Sequence, residues 1–473
     1  MPYSLVADFR AGVDRTRPIY ASEPGTIWSG INGHLTRGGD FEVSKKFVNK
    51  YALPVAGTFG LKATATALYT FGSTADPGVP TGVTYQRLEH PTGVGMTRLL
   101  SAELYSGLIY AIAEYGDDAV HHFYNGTRIT DWDGGAGNPA VKGRVAKTLS
   151  RKVYSAGEYQ LSFSGVDTAT GWTTTTDTGA GQINMSTHLA GAEDILALGI
   201  YQARLAVFGR HIIQLWTMAA DPASNAPGQI IEGTGTRAPG SVIGFGDIDL
   251  FYLADSGVRS MRARDTTQAA AINDVGTPID TLIQEWVATL TDADVEKAVA
   301  VVQPLDGRFW LAIAGKIFVF TWFPSKKIAA WSWYEPGFTV ENFAVLGSRI
   351  YARSGDTIYL YGGDDDDTYF DGLVTLQLPF LSNNKPGNYK QVTGVDIAAT
   401  GTWEVDFLVD PNDEDVVEHC GDLAGVTFPL AASGHVGHHT HIAPRLRRTG
   451  TGYASVSQVA VYFAGADSPG GTA

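Results

Sequence analysis

Four histidines crowd the stretch HVGHHTHI: His435, His438, His439 and His441, with His419 and Cys420 a short way upstream. Neutral imidazoles are common metal ligands, and clustered histidines can satisfy a zinc or nickel ion. On an alternating strand only every second side chain shares a face, so His439 and His441 are expected to converge while His438 turns away. If any set held a metal it would be His435, His439 and His441. No carboxylate stands at a typical metal-site spacing, so the reading expects neither a resident metal nor another cofactor.

The acidic run Asp364, Asp365, Asp366 and Asp367 has oxygens suited to calcium. It lacks the Asp-x-Asp-x-Asp-Gly loop with a distal glutamate, and reads instead as a solvated, self-repelling loop between domains. His121-His122, Glu103 and Asp131-Trp132-Asp133 are types that could serve a sugar site or a general acid and base. There is no Gly-x-Ser-x-Gly elbow, no phosphate-binding glycine loop followed by Lys-Ser/Thr, and no His-Glu-x-x-His. The expectation is a protein without catalysis.

The 473 residues are 44% hydrophobic and 18% charged, ordinary for a folded chain that buries a core. A single cysteine excludes an intrachain disulfide, and no run approaches the length of a membrane span. The start, MPYSLVADFRAGVDR, does not resemble a Sec-type signal. The formal net charge of −15 argues against a protein that grips nucleic-acid phosphates. Residues 1–60 carry seven basic and five acidic side chains and residues 373–473 five and ten, so most of the acidity lies in the central block.

The elements that must position these groups are mostly strands. With 56 glycines and 11% aromatics, the composition suits short strands joined by tight turns. Hairpin-like stretches recur at 106–126, 157–174, 201–216, 248–262, 306–322 and 347–363. Taking Gly116, Gly165, Gly209, Gly257, Gly315 and Gly355 as turn markers, the steps run from 40 to 58 residues, around the period of propeller blades. The fold class expected is all-β: a β-propeller of about five or six blades over 61–363, with one short helical insertion near 276–302. A small C-terminal antiparallel β-sandwich follows over 364–473, and residues 1–60 read as an extended arm and first strands. Pro278 near the helix start, with Ile279, Leu282, Ile283 and Trp286 at helical spacing, carries the insertion.

Both ends of the chain carry a resemblance. Asp8-Phe9-Arg10-Ala11-Gly12-Val13-Asp14, then Asn32 and the run TRGGDFEVSKKF at 36–47, resembles the opening of the tail nozzle proteins of short-tailed bacteriophages, also called tail tubular protein B. The stretch FYLADSGVRSMRARDTTQAAAINDVGTPIDTLI at 251–283 and AAWSWYEPGF at 329–338 look like a blade and a tryptophan-rich strand of that family. The histidine-rich segment departs from its pattern. The resemblance implies a structural virion tail protein, assembled in the host cytoplasm: a homo-hexameric ring below the portal and adaptor, docking tail fibres or receptor-binding proteins. Such a ring retains the packaged genome and conducts double-stranded DNA during ejection without reading its sequence. An acidic wall agrees with that task, since it keeps a duplex from sticking.

On this reading, lumen or gate loops are expected to draw on Asp117, Asp118, Asp131, Trp132, Asp133 and Asp364, Asp365, Asp366, Asp367. Arg10, Arg15, Arg17, Lys45 and Lys46 on the arm are expected to contact a neighbouring subunit or the adaptor. The alternative is a carbohydrate-binding or glycan-cleaving propeller, with Trp132, Trp172 and Trp333 stacking on sugar rings.

Overall fold

The computed structural model describes residues 3–464 apart from 24, 55–56, 76, 91, 130–142, 175–176, 188–192, 248, 264–273, 382–386 and 428–435. Strands dominate, as the composition implied, and they form a β-propeller joined to a sandwich.

Six sheets of three or four strands stand apart as blades, at residues 59–87, 98–128, 145–184, 197–232, 243–260 and 342–361. A further four-stranded unit, residues 299–334, occupies the place before the last blade and is one end of a 14-stranded sheet. The inner strands Phe59–Ala63, Arg98–Tyr105, Val145–Leu149, Ala197–Tyr201, Ile243–Phe245, Val299–Val302 and Asn342–Leu346 neighbour one another in this order and close into a ring. The expected five or six blades thus match the free-standing sheets, and the welded unit makes the ring one place larger.

Each hairpin read from the sequence sits in a blade. The blade passed over is residues 59–87, where Phe59–Ala63 and Leu68–Gly72 form a hairpin whose turn at 64–67 has no glycine, and Val83–Arg87 adds in parallel. Gly165 lies beyond the third strand of its blade; the equivalent turn joins Lys152–Gly157 to Gln160–Phe163 through Glu158, whose φ is 48°.

An apolar layer packs between successive blades. Tyr154, Leu161, Leu205 and Trp216 fill one such layer; Phe208, Leu215, Leu250 and Tyr252 fill the next. Hydrophobic burial on both faces of each sheet is what makes radial stacking stable where a lone hairpin would not be.

The ring is closed by the N-terminal strand Phe47–Ala52, which pairs with Thr357–Tyr361 as the outer strand of the last blade. The junction is reinforced by Arg353, buried, which donates to the carbonyls of Thr58 and Gly60 on the first blade and of Gly355 on its own.

Residues 1–60 are not an arm outside the core. Tyr3–Val6 pairs with Ser455–Phe463, and Ser29–Ile31 lies between Ile328–Tyr334 of the welded blade and Val374–Gln377 of the C-terminal sheet. Phe9, Val13 and Ile27 are fully buried. Gly12 (φ +64°) lies so close to the welded blade that a Cβ there would come within 2.6 Å of the Ala330 Cβ. The division into arm, propeller and C-terminal domain is therefore redrawn: most of the first 43 residues belong to the C-terminal body, and one core runs from there into the propeller.

The C-terminal body turns on one 19-residue strand, Lys390–Leu408. Its first half pairs with Ser455–Phe463, while its second half lies between Ala443–Arg448 and Val417–Val426. Gly401 (φ +80°) sits at the change of partner, where a side chain would run into Arg448 and Ala454. Trp403, Val405, Leu446 and Val459 fill the space enclosed.

The helical insertion is shorter than 276–302. A 3₁₀ turn over Thr277–Ile279 leads into Asp280–Val287, and a second helix, Asp292–Glu296, is capped by the Thr291 hydroxyl accepting from the Asp294 amide. Val299–Val302 is already the inner strand of the welded blade. Arg259 fastens the first helix, donating to both Asp280 oxygens at 2.7 and 2.9 Å. Among the described residues no helix is long and apolar enough to cross a membrane.

Candidate functional site

One cation assigned to a neighbour, Lys45, meets one acid assigned to a lumen, Asp366, within the chain. Lys45 pairs with Asp366 at 2.7 Å, Lys46 with Asp371 at 2.7 Å, and Lys50 with Asp364. Arg349 adds a contact to Asp366 at 3.5 Å. Two aspartates of the run at 364–367 are thus held, by Lys50 on the ring-closing strand and by Lys45 just before it. Asp365 and Asp367 are exposed beside them.

Arg15 lies on the face of Trp28, 3.6 Å from the ring centroid, and donates to the Trp28 carbonyl. Arg10 pairs with Asp8 and Arg17 with Glu23, both at the surface. Asp117 is exposed in the turn between the second and third strands of its blade, and Asp118 lies 3.6 Å from His90. Asp131, Trp132 and Asp133 lie outside the described residues.

His435 also lies outside the described residues. His438 is exposed, as alternation required, but His439 and His441 do not converge. His439 Nε2 is 2.6 Å from Glu418 Oε1, while the His441 ring stands edge-on to Phe380 and its Nδ1 meets the Thr440 hydroxyl. Burial acts to raise the Glu418 pKa, yet the Gly437 amide and His439 outweigh it and hold the carboxylate below its ordinary range.

A group the sequence reading did not assemble is Glu404, Asp406 and His419, whose donor atoms lie within 4.8 Å of one another. Arg447 approaches Asp406 to 2.7 Å and Glu404 to 3.1 Å, and Arg445 approaches Asp406 to 3.4 Å. The guanidinium groups already supply the positive charge a cation would bring, so this is a cross-strand ion ladder fixing three strands of the sandwich.

His121 and His122 are structural. His121 Nε2 lies 3.0 Å from the Gly143 carbonyl, which can only accept, so this nitrogen carries the proton and Nδ1 accepts from the Tyr110 hydroxyl at 2.6 Å. Burial pushes the His121 pKa down to about 3 and that of His122 to about 4. Trp172 and Trp333, offered as sugar platforms, are buried at 3% and 4% exposure.

Side chains from all the inner strands converge on the propeller axis. A cavity of about 290 Å³ is lined there by residues of every blade, among them Lys62, Glu103, Lys147, Ser101 and Asn342. Lys147 Nζ donates to Glu103 Oε1 at 3.0 Å. Burial lowers the Lys62 pKa; Glu103 opposes that shift and Lys147 adds to it. A second cavity of about 380 Å³ shares Leu99, Leu100, Pro239, Gly240, Val299 and Asn342 with the first and also touches Arg98, Asp294, Glu296, Lys297 and Glu341. Two adjoining cavities therefore lie along the axis, one bearing Lys62 and Lys147 and the other a mixed set of charges, in space comparable to a small-molecule site.

No family model matches the sequence, and no curated protein matches it. Among solved structures, BamB from Moraxella catarrhalis is 13% identical with a TM-score of 0.38, over 68% of this chain and 98% of that one. The extracellular domains of two hybrid two component system proteins from B. thetaiotaomicron are each 8% identical, with TM-scores of 0.39 and 0.40. The comparisons span 74% and 89% of this chain but only 43% and 57% of those chains. Likeness at this level says nothing of function, and the propeller rests on its own sheets.

Proposed function

We propose that this chain is the structural subunit of a phage-type tail nozzle, a hexameric ring whose bore retains and then conducts double-stranded DNA. The observation that carries the reading is the 14-stranded sheet, which makes the propeller and the C-terminal sandwich one continuous body with a shared core. Such a body suits a load-bearing ring because no flexible linker separates its halves. The net charge of −15 suits a wall along which a duplex slides.

On this reading the DNA bore lies between subunits. An axial cavity of about 290 Å³ is the size of small-molecule sites, far too small for a duplex. The edge strand Tyr3–Val6, with Tyr3 and Leu5 exposed, offers an unpaired row of backbone groups to a neighbouring copy or to the adaptor. Arg10 and Arg17, at the surface nearby in sequence, remain candidates for the same contact.

The sugar-binding alternative loses Trp172 and Trp333 to the core, and no described observation favours it. The deciding experiment is the mass and negative-stain class average of the purified protein, alone and with its candidate adaptor ring. A sixfold ring with an open axial bore is expected. A protein that stays monomeric in both samples overturns the proposal.

A further inference from the structure

We propose that the axial cavity of the propeller binds a small oxyanion, a carboxylate or phosphate group on a compact body, between Lys62 and Lys147. The inference stands apart from the nozzle reading and rests on three observations of the cavity.

The first is its charge. Lys62, Glu103 and Lys147 come from three consecutive blades and line one cavity, so two ammonium groups stand there against one carboxylate. Glu103 is engaged by Lys147 at 3.0 Å, whereas the Lys62 ammonium has no hydrogen-bond acceptor among the described residues. A lysine drawn out of water without an acceptor is costly, and an incoming anion offsets that cost.

The second is the supply of donors. Each ammonium carries three N–H bonds, of which Lys147 spends one on Glu103. The oxygens of a carboxylate or phosphate can take up the remainder, with Asn342, on the inner strand next to that of Lys62, offering an amide. Ser101 adds a hydroxyl to the same lining, while Leu61, Val145, Leu198 and Phe343 contribute apolar residues to it.

The third is the adjoining cavity, which shares lining with the first and carries Arg98 and Lys297 among Asp294, Glu296 and Glu341. The carboxylates there leave the Lys62 and Lys147 side as the place where positive charge is in excess, two ammonium groups against Glu103. Binding also returns Lys62 toward its ordinary pKa, so proton uptake accompanies the event wherever Lys62 is partly neutral.

The test is calorimetric titration of the full chain in low-salt buffer, with inorganic phosphate and, separately, succinate as probes up to about 10 mM. Saturable binding of at least one probe is expected, and the stronger probe identifies the head group. Lys62→Met should weaken it about tenfold or more, since it removes the unpaired cation. Glu103→Gln frees Lys147 from its competing carboxylate and should tighten binding severalfold, which keeps the proposal testable whatever Lys62→Met does to folding. Lys50→Gln, on the ring-closing strand outside the cavity, should leave binding unchanged. The proposal is overturned if neither probe binds the wild type or Glu103→Gln. It is equally overturned if a folded Lys62→Met binds as the wild type does, or if Glu103→Gln weakens binding.

Discussion

Acid should destabilise this propeller through His121 over a window set by its burial. The unfolded imidazole titrates near 6.5, whereas in the folded chain burial pushes its pKa down to about 3. The hydrogen bond from Nε2 to Gly143 opposes the shift without cancelling it. Between those values the unfolded state binds a proton that the folded state does not, so stability falls as pH falls from about 6.5 toward about 3 and is level above neutrality. At a pH near 4.5 the loss is about 2.7 kcal/mol, two pH units at about 1.36 kcal/mol each. For a chain of 473 residues unfolding cooperatively, the unfolding entropy is about 1 kcal/mol/K, so the melting temperature should drop by roughly 3 °C. His122, pushed down to about 4, adds a loss of the same sign.

The clean measurement compares wild type with His121→Phe by denaturant unfolding at neutral pH and near pH 4.5. Phe keeps the ring packed beside Tyr110 and Trp172 but strands the Tyr110 hydroxyl, so it should cost about 1–3 kcal/mol at neutral pH. Its acid loss should be smaller than that of the wild type by about 2.7 kcal/mol. Two pH profiles that run parallel would refute the reasoning, because His121 would then titrate alike in both states.

Arg353→Met should loosen the junction between the first and last blades by about 2–4 kcal/mol, since it strands buried carbonyls at Thr58 and Gly60; hydrogen exchange should show the strand Phe47–Ala52 losing protection first. Gly12→Ala should destabilise by at least about 2 kcal/mol, because its Cβ would fall within 2.7 Å of the backbone of Ala330 and Trp331 at a positive φ; an unchanged melting curve would contradict that packing. Deleting residues 1–20 should impair folding and not assembly alone, since Phe9 and Val13 leave the core and the pairing to Ser455–Phe463 is lost. A truncated chain with full cooperative unfolding would count against this.

Local pattern was a good guide wherever one strand followed another through a tight turn. The alternation in Leu108–Tyr115 and Arg349–Ser354 and the spacing of Ile279, Ile283 and Trp286 became strands and a helix where expected. It failed where a turn carried no glycine or a pair was parallel. The blade at 59–87 has both: its hairpin turns through 64–67 without glycine, and its third strand joins in parallel across a crossover. Several turns place ordinary residues at positive φ, such as Ser150-Arg151 and Gln202-Ala203, and a glycine count passes over them.

The charged groups show the same limit. Lys45 was given one task and Asp366 another, because more than 300 residues separate them; the fold makes them partners. Glu103 was read as a type for a sugar site or for acid–base work, and nothing in its spacing from Lys62 and Lys147 announced a shared space.

The sequence by itself determined the strand content, the repeating blade layout and the acidic balance, because alternation, turn chemistry and charge are properties of neighbouring residues. Only the tertiary structure decided that the N-terminal segment is core, that two aspartates of the acidic loop pair with lysines, and that two lysines and a glutamate line one cavity on the axis. Those outcomes depend on ring closure and on a sheet assembled from both ends of the chain, and contacts of that range are selected by burial of the whole, not by any local preference.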